Sequence, residues 1–176
     1  MSKKETSTFY LTERIIMTSS GTAVTATVDL GSFIDVVQRQ CLALEEIDVI
    51  FQGTAADTPL TTAAGADSTI FVQVSDLNRG GTIQFADDRA LCASATLNLD
   101  YSNNSVTKAM DHFPDIFGSK DGVRLVVNDQ LYITGEASAV AGSNSINATV
   151  RMKCHVRKLS QKDFVALTLQ SVAADN

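Results

Sequence analysis

Tryptophan is absent from this chain of 176 residues, proline and histidine occur twice each, and cysteine occurs three times. Each scarcity excludes something. Two prolines and ten glycines are too few for collagen-like or proline-rich linker sequence. His112 and His155 lie far apart, and neither belongs to an H-x-H or H-E-x-x-H cluster, so the ligand set of a zinc or iron β-barrel enzyme is missing. Cys41, Cys92 and Cys154 are an odd number without C-x-x-C spacing, each beside apolar residues. They read as reduced thiols buried as small hydrophobes, not as a disulfide framework. No apolar run approaches the ~20 residues of a membrane span. Residues Met1 to Thr6 lead into a strand-like segment and not into an apolar signal core, so synthesis in the cytoplasm without a signal peptide is expected. The sequons at Asn103 and Asn147 therefore read as chance matches.

What is present is a chain 44% hydrophobic and 19% charged, long enough for one domain with a real core. A single domain over 1–176 is expected. The formal charge of -6 argues against a generic nucleic-acid binder, but the charges are unevenly placed. Between Cys41 and Gly122 stand twelve Asp and Glu against four Lys and Arg. Near the C-terminus Arg151, Lys153, Arg157, Lys158 and Lys162 crowd together.

Period-2 alternation dominates, the mark of half-buried antiparallel strands. From Ile146 to Val156 the even positions are Ile, Ala, Val, Met, Cys and Val. The odd positions from Asn147 to Arg157 are Asn, Thr, Arg, Lys, His and Arg. Successive side chains of a strand point to opposite faces, so this ribbon of roughly 40 Å has a core face and a cationic face. Leu91, Ala93, Ala95, Leu97 and Leu99 form a second such face, and Val24, Ala26, Val28 and Leu30 a third. Phe9, Leu11, Ile15 and Met17 share a side, with Glu13 the exception. Val123, Leu125 and Val127 hold a parity that resumes at Leu131 and Ile133 after a turn or bulge at Asn128-Asp129. Shorter β-rich runs cover Ile47 to Phe51, Ile70 to Val74, Thr82 to Phe85 and Phe164 to Leu169. The class expected is all-β, an antiparallel sandwich with one or two short helical insertions. Those helices are placed at Phe33 to Gln40, capped by Ser32, and at Ser105 to Met110, ending before Phe113-Pro114. Gly53 to Ser68 reads as a long exposed loop, and Glu136 to Ser145 as a hairpin connection between long strands.

Catalytic constellations are scarce. G-x-S-x-G is absent, and Asp111-His112 with Asp115 reads as a helix cap facing water. Glu45 and Glu46, as strand neighbours, point to opposite faces and cannot form a glycosidase pair. Glu46 and Asp48 share a face and suit the basic strand as acidic partners. Asp76 to Gly81 is a tight turn, with no Lys or Ser/Thr after its glycines and no helix opening there, and so not a phosphate cradle. The sequence points to no enzyme and no cofactor. Its candidate site is the basic strand: Arg151, Lys153, His155 and Arg157, with Lys158 beside them. That face could pair with acidic residues of its own chain or of another subunit, follow a phosphate backbone, or face solvent. It has no interleaved aromatics for stacking bases.

The segments Val123 to Thr134, Ile146 to Arg157 and Phe164 to Leu169, with short helical insertions and long loops, resemble the single jelly-roll capsid proteins of virions. Phage tail-tube proteins are similar at this level. The resemblance implies eight strands in two sheets, a place in the virion, and a coat subunit that assembles with copies of itself. Other virion proteins follow as further partners, with nucleic acid a lesser alternative for the basic strand. Only Lys3-Lys4 precede the first strand, where capsid proteins often carry a long basic arm. From a different class, a β-sandwich carbohydrate-binding module would want exposed Trp or Tyr platforms, and here there are three Tyr (Tyr10, Tyr101, Tyr132) and no Trp.

Overall fold

The computed structural model describes residues 5–110 and 122–174. In chain order the elements are β1 (Phe9–Met17), β2 (Val24–Asp29), β3 (Gln40–Gln52), α1 (Leu60–Ala64), β4 (Ser68–Ser75), β5 (Leu91–Asp100), β6 (Ser105–Met110), β7 (Arg124–Val126), β8 (Gln130–Ala137), β9 (Ile146–Lys158) and α2 (Gln161–Ala174). One sheet has the order β1-β9-β3-β7 and the other β2-β8-β4-β5-β6, with antiparallel pairing throughout.

With β6 set aside, eight strands remain, and the order becomes simple. The first pairs with the last, the second with the seventh, the third with the sixth and the fourth with the fifth. A long antiparallel ribbon wound round a barrel axis gives this pairing, so the sandwich is a jelly roll. β6 is an added edge strand on the second sheet.

The alternation seen in the sequence becomes the packing between the sheets. Ile146, Ala148, Val150, Met152 and Cys154 of β9 are completely buried. With Ile15 and Met17 of β1 and Leu42 and Leu44 of β3, they belong to one core with Ile70 and Val72 of β4 and Leu131 and Ile133 of β8. Each fully buried Val, Leu, Ile or Met of these facing rows contributes about 1.5–3 kcal/mol.

Four local expectations are corrected. Phe164 to Leu169 is not a strand but the middle of α2. A short apolar run is ambiguous between strand and helix, and the deciding signal stands upstream. Ser160 Oγ accepts from the Asp163 backbone N–H at 3.2 Å, capping the helix, and donates to Asp163 Oδ2 at 2.6 Å, which holds the capping hydroxyl in place. Ser160→Ala is expected to cost about 1 kcal/mol of helix stability, seen as faster amide exchange in the first turn of α2.

Ser105 to Met110 is not a helix but the strand β6, hairpinned to β5 through a turn in which Asn104 takes a left-handed φ of 51°. β-branched Val106 and Thr107 favour the strand. Phe33 to Gln40 is also not helical. Asp35 and Gln40 exchange backbone hydrogen bonds, Asp35 Oδ1 accepts from the Gln38 N–H at 2.9 Å, and Arg39 sits at φ 57°. Ile34, Val36 and Val37 are stiff at χ1 and resist helix formation. Finally, Glu136 to Ser145 is no hairpin connection, because β8 and β9 belong to different sheets.

Two β-rich or loop readings shift more gently. Gly53 to Ser68 contains the one-turn helix α1, closed by Gly65 in the left-handed region. Thr82 to Phe85 forms no strand. It lies over the outer face of the second sheet, where Gln73 Nε2 donates to Gln84 O at 2.7 Å and the Gln84 N–H donates back to Gln73 Oε1 at 2.8 Å. Asp111, His112, Phe113-Pro114 and Asp115 lie outside the described residues.

Candidate interaction surfaces

The outer face of the first sheet carries the basic strand. Cross-strand register sets Glu46 opposite Lys153 and Asp48 opposite Arg151, as neighbours on adjacent strands. The close acidic partner, however, is Glu45. Lys153 Nζ lies 3.0 Å from Glu45 Oε2, and His155 Nδ1 donates to Glu45 Oε1 at 2.7 Å. Thr8 Oγ1 adds a third bond to the same carboxylate at 3.2 Å.

A β-bulge between Leu44 and Glu46 makes this possible, because it inserts Glu45 as an extra residue. The signal for it is in the sequence. Cys41 to Leu44 are all buried, but the side chains that join the core between the sheets are even at Leu42 and Leu44 and odd at Ile47 and Val49, so one residue must slip between them. Alternation carried back from Ile47 and Val49 assigns Glu45 to the core side.

The three hydrogen bonds, the one from Lys153 foremost, hold the Glu45 carboxyl below the usual carboxylate range. The same bond holds the Lys153 ammonium above its ordinary value. Arg157 is buried and its Nε lies 3.2 Å from Glu5 Oε1. Lys158 Nζ donates to Gln38 Oε1 at 3.1 Å. Of the five basic-strand residues, Arg151 alone is exposed, while Lys153 and Lys158 are half-buried and His155 is buried like Arg157. The cationic face is thus largely engaged within its own chain.

Lys108 of β6 crosses between the sheets. Its Nζ donates to the Val49 carbonyl, lies 4.0 Å from Asp48 Oδ1 and stands over the Phe51 ring. β7 pairs only with Leu42 to Leu44, so this lysine satisfies backbone beyond β7's reach. An inward-pointing charge at a sheet edge also discourages strand addition by another chain.

The end of the sandwich near α2 has a different character. Phe164 is buried beneath the helix, whereas Val165 and Leu169, one turn apart, face outward. Across from them stand Val36 and Val37, the latter 87% exposed. Together with Arg39 these side chains line an open groove of about 520 Å³. The helix is tied down at both ends. The Leu159 N–H donates to Arg39 O at 3.0 Å, and Ser171 Oγ bonds to the amide of Asn128.

The three thiols are inert. Burial pushes Cys41 up to about 11, and Cys92 and Cys154 up to about 12, so the reactive thiolate is not populated near neutrality. Among the described residues no group of three His, Cys, Asp or Glu side chains could hold a metal ion. No helix among them is long and apolar enough to cross a membrane.

No family model matches this chain, and no curated protein does. Solved structures of viral proteins are similar to it. A chain of Desmodium yellow mottle tymovirus is 10% identical, with a TM-score of 0.38 over 89% of this chain and 91% of that one. The VP1 of Trichodysplasia spinulosa-associated polyomavirus, solved in complex with sialylated glycooligomers, is 11% identical, with a TM-score of 0.36 over 85% and 95%. Both scores are low, and the jelly-roll assignment rests on strand order.

Proposed function

We propose that this chain is a non-enzymatic structural subunit, one β-sandwich domain over 1–176, that assembles with copies of itself into the coat of a virion. The observation that carries the reading is exposed apolar surface gathered at one end of a jelly roll. Val36, Val37, Val165 and Leu169 are all at least half exposed and line one groove. Large apolar side chains grouped in this way on a folded surface mark sites of protein association. Jelly rolls serve capsid, lectin and cupin proteins alike, so surface chemistry has to choose among them. The intrachain pairing of the basic strand favours protein partners over a phosphate backbone, because buried His155 and Arg157 are poorly placed to reach one.

The test is assembly. Purified protein, followed by light scattering and electron microscopy across protein concentration and salt, is expected to form discrete shells. Tubes would support the tail-tube alternative instead, and a strictly monomeric protein under all conditions would refute self-assembly.

A further inference from the structure

Phe85 is 88% exposed, the most exposed of the large apolar side chains among the described residues. Its backbone is nonetheless held on both sides. Gln84 is clamped by the two reciprocal bonds to the Gln73 side chain, which is itself 8% exposed. Beyond Phe85, the Asp88 N–H donates to Phe85 O at 3.1 Å. Asp88 is fixed in turn by Arg79, at 2.9 Å to each carboxylate oxygen, and by the Ala90 N–H at 2.8 Å. A phenyl ring is therefore displayed to solvent on a braced loop. Holding an apolar knob in place lowers the ordering cost of inserting it into a partner.

We infer that the Phe85 knob of one copy inserts into the groove between α2 and Val36-Val37 of a second copy. This rests on the self-assembly reading above and names the surfaces it uses. Size agrees, since a groove of about 520 Å³ accommodates one phenyl side chain with room for its loop. Charge agrees as well. Exposed Asp87 follows the knob two residues on, and Arg39 lines the groove. Arg89 also stands exposed near the knob, and Asp163, next to Lys162, opens α2 beside the groove, a second pair of opposite charges with the signs reversed. Knob and groove occupy different places on the molecule, one over the outer face of the second sheet and the other at the sandwich end. The contact is therefore heterologous, passing from copy to copy, and closes into rings when the rotation allows.

The experiment uses two variants that each remove one half of the contact. Phe85→Ser lacks the knob and keeps the groove, while Leu169→Glu spoils the groove and keeps the knob. Both positions are mainly solvent-exposed, so thermal melting should stay near that of the parent. Each variant alone is expected to need at least about tenfold more protein to assemble. Mixed in equal amounts, the two should form one-to-one heterodimers by analytical ultracentrifugation and stop there, since one complete contact remains. The charge pair gives a milder check: Asp87→Lys should weaken assembly, and Arg39→Asp added to it should restore part of the loss. If the parent assembles but Phe85→Ser assembles equally well, or the mixture yields no heterodimer, the knob-and-groove contact is wrong and self-assembly stands. If the parent itself never assembles, both readings fall together.

Discussion

Replacing Arg124 with Ala is expected to destabilise the fold by about 3–5 kcal/mol, measured as a lower urea midpoint. Arg124 Nη2 lies 3.0 Å from Asp76 Oδ2, and Asp76 is only 8% exposed. The same guanidinium donates to the Arg89 carbonyl at 2.8 Å. Asn128 Nδ2 donates to the Asp76 carbonyl at 2.7 Å and bonds to Ser171 of α2. This cluster joins β7 of one sheet to the β4–β5 loop of the other and to the helix above them. Without the arginine a buried carboxylate loses its bonded countercharge and keeps only the weaker influence of Arg79, which costs far more than an exposed ion pair contributes.

The dependence on pH has a definite sign. Burial raises the Asp76 carboxyl above its ordinary value even with Arg124 beside it. Its contribution to stability is therefore complete below the ordinary carboxylate value and is lost as pH rises through the raised one. Removing Arg124 moves that upper limit higher. The deficit of the variant should be greatest at neutral pH and shrink on acidification. Adding Asp76→Asn should recover much of the loss at neutral pH, because the penalty lies in the stranded charge. A deficit independent of pH and of residue 76 would show that lost packing of the arginine stem is the cause.

Glu45→Ala is expected to cost about 1–3 kcal/mol at neutral pH, chiefly because the buried His155 ring N–H loses its acceptor. Lys153 can turn to solvent and adds little. Glu45→Gln keeps an acceptor oxygen and should fall between the two. Here the sign is reversed. The folded Glu45 carboxyl is lowered, so its stabilisation is present above the ordinary carboxylate value and lost as pH falls through the lowered one. The gap between parent and Glu45→Ala should narrow in acid toward that between Glu45→Gln and Glu45→Ala, since the protonated carboxyl keeps an acceptor oxygen. Chemical denaturation at several pH values reads both effects, and parallel curves would rule out the carboxylate as their source.

Much of the fold was legible because the chemistry of a half-buried strand repeats every two residues. The run from Ile146 to Arg157 states its own core face, and so do β2 and β5. Where that period is too short to read, other signals decide. Phe164 to Leu169 is apolar in either conformation, and only the Ser160–Asp163 cap tells helix from strand. The site was legible in its basic half alone. Glu45 hides behind a bulge whose trace is a change of parity along β3.

By itself, then, the sequence determined an all-β protein with small buried thiols, an acidic middle and a basic late strand. Local alternation and composition are enough for that, since they act between near neighbours. Strand order, the pairing of Glu45 with Lys153 and His155, and the meeting of α2 with Val36-Val37 were decided only by the tertiary structure. These depend on contacts between segments about a hundred residues apart, which no local period encodes. The same long-range closure turned the basic strand from a candidate nucleic-acid surface into a mostly satisfied one, and moved the exposed surface available for assembly to the apolar end of the sandwich.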